Sequence, residues 1–417
     1  MSFSSLGLSP ALVHAVREHA YTAPSAVQSS AIPAILAGRD ALVSAQTGSG
    51  KTAAFCLPLL QLLHSKPRLS ARTVQTLILV PTRELAAQVG ETLRKLAQHL
   101  PQPTKLAVIF GGVSINPQML HLRGGADIVI STPGRLLDLL EQNALSLSNV
   151  CSLVLDEADR LLDLGFSDEL TRIIALLPEQ RQTLFFSATI PAQVEALAQN
   201  MLRDPLRIAI DTIETHAPDI TQRAIVVDVK QRTQLLRHLI DTQKWSRVLV
   251  FVATKYAAEL VAVKLRRAGI NAEPFHGELS QGKRSQVLMD FKASRVKVVV
   301  ATDVAARGID VSNLPVVVNY DLPRSSDDYT HRIGRTGRAG EAGLAISFVC
   351  ADSANENHFR LIEQRHQQKI IREKITGFEP TDIPVNAVTV GTDTNGGIKG
   401  KRPNKKDKLR VLAGNYD

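Results

Sequence analysis

A chain of 417 residues is too long for one ordinary hydrophobic core, so two or three domains are expected. Its 49 basic and 40 acidic side chains leave a net charge of +9, which suits a polyanionic partner without requiring one. Cys56, Cys151 and Cys350 form no C-x-x-C, the N-terminus lacks the apolar core of a signal peptide, and no apolar run approaches the roughly 20 residues of a membrane helix; a zinc site, a disulfide framework and a membrane anchor are therefore not expected, and a cytoplasmic setting is.

The first predicted strand, "DALVSA" (40–45), leads into "SAQTGSGKT" (44–52) and then a helical pattern. The loop matches G-x-x-x-x-G-K-[ST] in part: Ala45 stands where the first Gly would be, and Gly48, Gly50, Lys51 and Thr52 are present. Glycines let backbone N–H groups approach phosphate oxygens, and the helix N-terminus behind them favours negative charge. Lys51 would reach the β- and γ-phosphates and Thr52 would hold Mg²⁺. The plainer alternative is a glycine turn with an incidental lysine.

Next come "TLILV" (76–80), an amphipathic stretch (84–100), "KLAVIF" (105–110) and "ADIVIS" (126–131). "CSLVLD" (151–156) then ends on Asp156, followed by Glu157 and Asp159. Crowded carboxylates repel and raise one another's pKa unless something compensates. A phosphate loop supplies a reason for them: Asp156 as a second Mg²⁺ anchor and Glu157 to orient or deprotonate a water. The alternative is an acidic helix start that suits the macrodipole. "TLFFSA" (183–188) is the last strand predicted in this half. Apolar strands without strict alternation, separated by helical patterns, predict a wound α/β sheet covered on both faces.

The pattern weakens over residues 203–222, where the domain boundary is placed, and restarts with "AIVVDV" (224–229), "RVLVFVA" (247–253), "VKVVVA" (296–301), "PVVVNY" (315–320) and "LAISFV" (344–349). The expected division is a first domain 1–205, a linker 206–222, a second α/β domain 223–375 and a basic tail 376–417, predicted to be disordered. No repeat aligns the halves by sequence.

"DEAD" at 156–159, together with "AQTGSGKT" at 45–52, resembles the DEAD-box RNA helicases of superfamily 2. The likeness covers roughly residues 1–375, and the short spacings and "ITGFEP" most resemble the RhlE-like bacterial group. An Ala leading the phosphate loop is usual in that family. The resemblance implies two RecA-like domains, each a mainly parallel sheet flanked by helices, with a cleft between them. It also implies ATP and Mg²⁺ as cofactors.

Residue by residue, it implies that Ala45, Gln46, Thr47, Gly48, Ser49, Gly50, Lys51 and Thr52 surround the phosphates. In "YTAPSAVQ" (21–28), Gln28 would read adenine and Tyr21 would stack on it, with Phe3 as the upstream aromatic; Ala20 and Ser25 depart mildly from the family pattern. Ser187, Ala188 and Thr189 would link Asp159 to the second domain. From that domain Arg335 and Arg338 of "HRIGRTGR" (331–338) would reach the γ-phosphate, Gly308 and Asp310 would contact nucleotide, and His331 and Arg332 would couple to the acids. RNA would be held by Pro81, Thr82 and Arg83, by Gly111 and Gly112, by Thr132, Pro133, Gly134 and Arg135, and by Gln281, Arg284 and Thr302.

The activity so implied is RNA-stimulated ATP hydrolysis coupled to local duplex separation and RNA release. The alternative is an ATP-dependent RNA clamp or ribonucleoprotein remodelling factor with little strand separation. Gln28 with "DEAD" and "SAT" argues against a DNA helicase. The expected partner is RNA, gripped by its backbone through a monomeric core without a membrane. Ribosomal particles and RNA-decay machinery are guesses at family level. The basic tail is either a solvated extension or a non-specific RNA tether.

Overall fold

The computed structural model describes residues 2–19, 21–46, 48–65, 72–210, 220–306, 314–337, 342–350 and 352–381. Thr47, Gly308, Asp310, Arg338 and most of the basic tail lie outside them.

Among the described residues the chain forms two seven-stranded parallel sheets flanked by helices, an arrangement of two RecA-like domains. The first contains β1 (Ala41–Ser44), β2 (Thr76–Leu79), β3 (Leu106–Ile109), β4 (Ile128–Ser131), β5 (Ser152–Asp156), β6 (Gln182–Ser187) and β7 (Leu206–Ala209). Its order is β3-β4-β2-β5-β6-β1-β7. The second contains β8 (Ile220–Val227), β9 (Val248–Val252), β10 (Ala272–Phe275), β11 (Val298–Thr302), β12 (Val316–Asn319), β13 (Gly343–Cys350) and β14 (Arg372–Glu373), in the order β10-β11-β9-β12-β13-β8-β14. Subtracting seven from each label turns the second order into the first, so the two sheets share one topology.

Alternate side chains explain the double cover. Val43, Ile78, Val154 and Phe186 join a core on one face of the first sheet, and Leu42, Leu77, Leu155 and Phe185 join a core on the other. In the second sheet Val250 and Val300 face one core and Leu249 and Val299 the other. A strand buried on both faces needs no polar positions, hence the unbroken apolar runs.

Three strands were not expected from sequence: β7, β10 and β14. Each pairs with one neighbour only. β7 falls inside the stretch 206–222 expected as linker, yet it pairs with β1 in register Ala41↔Leu206. β8 starts at Ile220, three positions ahead of the boundary at 223. The expected disorder from Thr376 onward is also corrected for its first residues. Phe378 packs against the second sheet's core and Thr381 donates to Asp228 through its N–H and hydroxyl, at 3.0 and 2.7 Å.

Candidate nucleotide and RNA site

The phosphate loop leaves β1 beside β6: Ser44 is in register with Ser187, and the Ala45 N–H donates to the Ser187 carbonyl at 3.1 Å. Gly48 and Gly50 have φ of +85° and +94°, a left-handed backbone that side chains disfavour. At Gly50 a Cβ would also lie 2.5 Å from the Gln28 amide nitrogen. The helix Lys51–His64 begins immediately, with Lys51 buried and its ammonium donating to the Ala45 carbonyl. Thr52 is half-buried, Gln46 is exposed, and the Ser49 hydroxyl is buried without a hydrogen-bond partner.

Gln28 closes the loop from behind. Its amide oxygen accepts from the Ser25 N–H at 2.9 Å and its nitrogen donates to the Gly50 carbonyl at 3.2 Å. A primary amide has two donors and two lone pairs, so one of each remains for a base edge. Tyr21 lies close by in sequence, edge-to-face with buried Phe3 at 6.2 Å.

Asp156 is the buried last residue of β5, two strands from the phosphate loop. Burial, then the neighbouring Glu157 charge, push its carboxyl up to about 7, while Lys51 pulls the other way. Glu157 has φ +51° and ψ 55°, a left-handed backbone in a non-glycine residue. Such a conformation costs about 1–3 kcal/mol and persists only where its surroundings enforce it. Its N–H donates to Asp156 Oδ1 at 3.0 Å, which ties the turn to the strand. Burial raises the Glu157 carboxyl, opposed by the charges of Arg160 and Arg335.

Asp159 is held differently. Its carboxylate accepts from the Arg160 N–H at 3.0 Å and from the Thr189 N–H and hydroxyl at 3.0 and 2.9 Å. Its own N–H donates to the Ser187 hydroxyl at 3.2 Å. Ala188 lies between these two contacts, half-buried. The turn after β6 is thus bonded to the turn after β5.

The second sheet faces this edge. Its helix Ser326–Ile333 presents His331, whose imidazole is pushed down to about 4 by burial and by Arg160, with Asp159 opposing. Arg160 reaches Asp328 across the cleft at 3.9 Å. Arg335 lies near enough to act on Glu157. Arg332, expected to couple to the acids, bonds within its own sheet instead. Its guanidinium makes two bonds to Asp303 at 2.6 and 2.7 Å and others to Asn319 and the Asp321 carbonyl. A guanidinium 2 % exposed needs paired acceptors, and Asp303 supplies them.

The residues expected to hold RNA lie after β2, β3, β4 and β10 and at the end of β11, at the edge where open α/β sheets bind ligands. Pro81 is buried, and Thr82 caps the helix Arg83–Ala97 by accepting from the Leu85 N–H at 3.2 Å. Arg83 packs on Gly112, where a Cβ would come within 2.7 Å of its guanidinium; Gly111, beside it, has open space there. Thr132 and Pro133 open the helix Pro133–Glu141, followed by half-buried Gly134. Arg135 donates to the Val113 carbonyl at 2.8 Å and to Asp138 at 3.3 Å. Gln281 starts the helix Gln281–Lys292 with its amide oxygen buried and unpartnered, and Thr302 ends β11 half-buried.

Arg284 departs from its expected place. It is 3 % exposed, lies 4.8 Å over the Phe275 ring, and pairs with Glu84 of the first sheet's domain at 2.8 Å. A guanidinium so enclosed bridges the two bodies rather than presenting itself to a phosphate. Glu84, Arg160, Asp303 and Asn319 were not singled out from sequence. Glu84 lies within "PTRELA" and Arg160 follows "DEAD", but their partners are 200 and 168 residues away.

A phosphate loop and an acid turn on one parallel sheet, faced by arginines of a second sheet of equal topology, define a two-domain P-loop nucleotide-binding protein. Residues 25–197 match the DEAD/DEAH box helicase family and residues 230–340 the helicase conserved C-terminal domain. The chain is 43% identical over 349 residues to the ATP-dependent RNA helicase DeaD of Buchnera aphidicola, spanning 84% of itself and 57% of that protein. It is 40% identical over 387 residues to the DEAD-box ATP-dependent RNA helicase RhpA of Helicobacter pylori, spanning 93% of itself and 76% of that protein. It is similar in structure to S. cerevisiae Dbp5 bound to RNA and ADP BeF3, with TM-score 0.78, 32% identity, and coverage of 89% of this chain and 95% of that one. The chain belongs to the DEAD-box ATP-dependent RNA helicase family. Among the described residues no helix is long and apolar enough to cross a membrane.

Proposed function

We propose that this protein hydrolyses ATP when RNA lies across both sheets, and uses the cycle to separate short RNA duplexes locally and release them. The observation that carries this reading is the place of Glu157. It is held in a left-handed turn beside buried Asp156 and within the field of Arg335 from the opposite sheet.

Mg²⁺ fits the first half of the site, because Asp156 is a buried oxygen donor whose charge Lys51 only partly offsets. Asp156 and the Thr52 hydroxyl would hold it, and when bound it would screen the phosphate charges. The backbone N–H groups around Gly48 and Gly50 cradle the phosphates, and Lys51 exchanges the Ala45 carbonyl for a phosphate oxygen. Glu157 orients the attacking water and is placed to take its proton. Arg335, with Arg338, neutralises charge developing on the transferred group. Arg83 and Arg135 face RNA phosphates, so recognition follows the backbone and 2′-hydroxyls rather than sequence.

Asp159 gives the coupling. It is bonded to Ser187 and Thr189 and lies near His331, so movement of the second sheet is felt at the turn that carries Glu157. The test compares ATPase stimulation by RNA and by DNA of the same sequence, followed by release of one strand from a short RNA duplex. RNA-selective stimulation with strand release is expected. Equal stimulation by DNA would remove RNA as the substrate, and stimulation without release would favour a clamp.

A further inference from the structure

We infer that His14, Glu18 and His99 form a binding site for one transition-metal cation of the Zn²⁺ type. The site lies outside the nucleotide and RNA residues. His14 and Glu18 are one turn apart on the helix Pro10–Glu18 and therefore share a face. His99 follows the end of the helix Arg83–Ala97. One ligand atom from each residue falls within 4.8 Å of the other two, the one such group among the described residues.

One of the two spacings already suits an ion, and the other is closed by a hydrogen bond. Glu18 Oε2 is 2.6 Å from His99 Nε2, and Glu18 Oε1 is 3.5 Å from His14 Nε2. Tetrahedral zinc with bonds of about 2.0–2.2 Å sets its ligands about 3.3–3.5 Å apart. The Glu18–His14 distance meets that value; the Glu18–His99 distance is that of a hydrogen bond, which a side-chain rotation must open for the ion to take its place. The two imidazoles stand edge-to-face with centroids 4.7 Å apart, so the helix Pro10–Glu18 and the end of the helix Arg83–Ala97 already bring both rings to one place. All three residues are exposed, so an ion can enter and water can complete its shell. Glu18 is already disposed to be an anionic ligand, because its hydrogen bond with His99 holds its carboxyl below the usual range.

The donor set also selects. Two imidazoles and a carboxylate suit Zn²⁺, Co²⁺ or Ni²⁺, whereas Mg²⁺ and Ca²⁺ prefer oxygen ligands throughout. The Mg²⁺ that accompanies ATP would therefore not fill this site. Occupancy would tie two helices together. One precedes Tyr21, and the other begins at Arg83 and Glu84, so the ion would brace the nucleotide-side segment against the element that reaches the second sheet.

The test is a calorimetric titration of the chelator-treated full chain with ZnCl₂ in excess Mg²⁺, on wild type, His14→Gln and His99→Gln. One Zn²⁺ per chain is expected, with affinity at least about tenfold weaker in each variant. Zn²⁺ should raise the unfolding temperature of wild type and not that of His99→Gln. Because all three side chains are exposed, the variants should unfold like wild type in chelator. Unchanged affinity in both variants, or no saturable Zn²⁺ binding in excess Mg²⁺, would each overturn the proposal.

Discussion

On the proposed reading, Glu157 concentrates the chemistry of this protein in one residue. Its neighbours leave it little freedom: Asp156 accepts its N–H, Asp159 is bonded to the next turn, and the backbone is left-handed. Removing the carboxylate charge while keeping the shape separates catalysis from binding. Glu157→Gln is expected to lower kcat by about 10²–10⁴-fold, the range for loss of an acid–base group. ATP-dependent RNA binding should persist in a filter or anisotropy assay. ATPase near wild type would remove its proposed role. His331 makes a second prediction at this scale. Its imidazole is held at about 4 against an ordinary 6.5, so between those values the unfolded chain takes up a proton that the folded chain does not. Its contribution to stability is therefore complete above pH 6.5 and is lost as pH falls toward 4. Urea midpoints measured at pH 7 and pH 5 should fall less with pH in His331→Gln than in wild type.

At the scale of elements, the turn after the helix Ser326–Ile333 depends on a glycine next to it in space. A Cβ on Gly343, the first residue of β13, would lie 2.3 Å from the Gly337 nitrogen and 2.4 Å from the Thr336 hydroxyl. Gly343→Ala must displace the segment carrying Arg335. The expected cost is about 1–3 kcal/mol of stability, with a loss of kcat exceeding any loss of RNA binding. Full activity with an unchanged melting temperature would show the segment to be slack. The same elements show what is legible in sequence. Strands covered on both faces announce themselves as apolar runs: β1, β2, β3, β4, β5, β9 and β12 all fall within predicted ranges, and β6 begins one residue ahead of its own. β7, β10 and β14 lie at sheet margins: β7 and β14 are half-exposed and carry charge, and the edge position of β10 tolerates Glu273 and a Pro274 that has no N–H to give, which removes the signal although the strand is largely buried. The residues picked for the site are those whose type states their chemistry, such as Lys51, Asp156 and Glu157. Glu84 and Asp303 are not legible in sequence, because an acid's partner across a fold leaves no mark on local sequence.

Across the whole molecule the two sheets repeat one topology that no internal sequence repeat reveals, since core packing tolerates any apolar residue of suitable volume. What joins them is polar and specific: Arg284 to Glu84 at 2.8 Å and Arg160 to Asp328 at 3.9 Å. The first pair is enclosed on both sides, with side-chain exposures of 4% and 8%. Removing either partner strands a buried charge, so Glu84→Gln and Arg284→Met should each weaken ATP-dependent RNA binding. The double variant should be little worse than the poorer single, with a coupling of about 0.5–3 kcal/mol. Strict additivity in that cycle would mean that the pair does not hold the two sheets together.

On the proposed reading, ATP and RNA together bring Glu157 and Arg335 into one site. This is tested most directly by single-molecule fluorescence transfer between one dye beside each sheet, in the Glu157→Gln background. A short inter-dye distance is expected with ATP and RNA together, and a longer, variable one with either alone. A distance that stays short in the absence of both ligands, or stays long when both are bound, would contradict it.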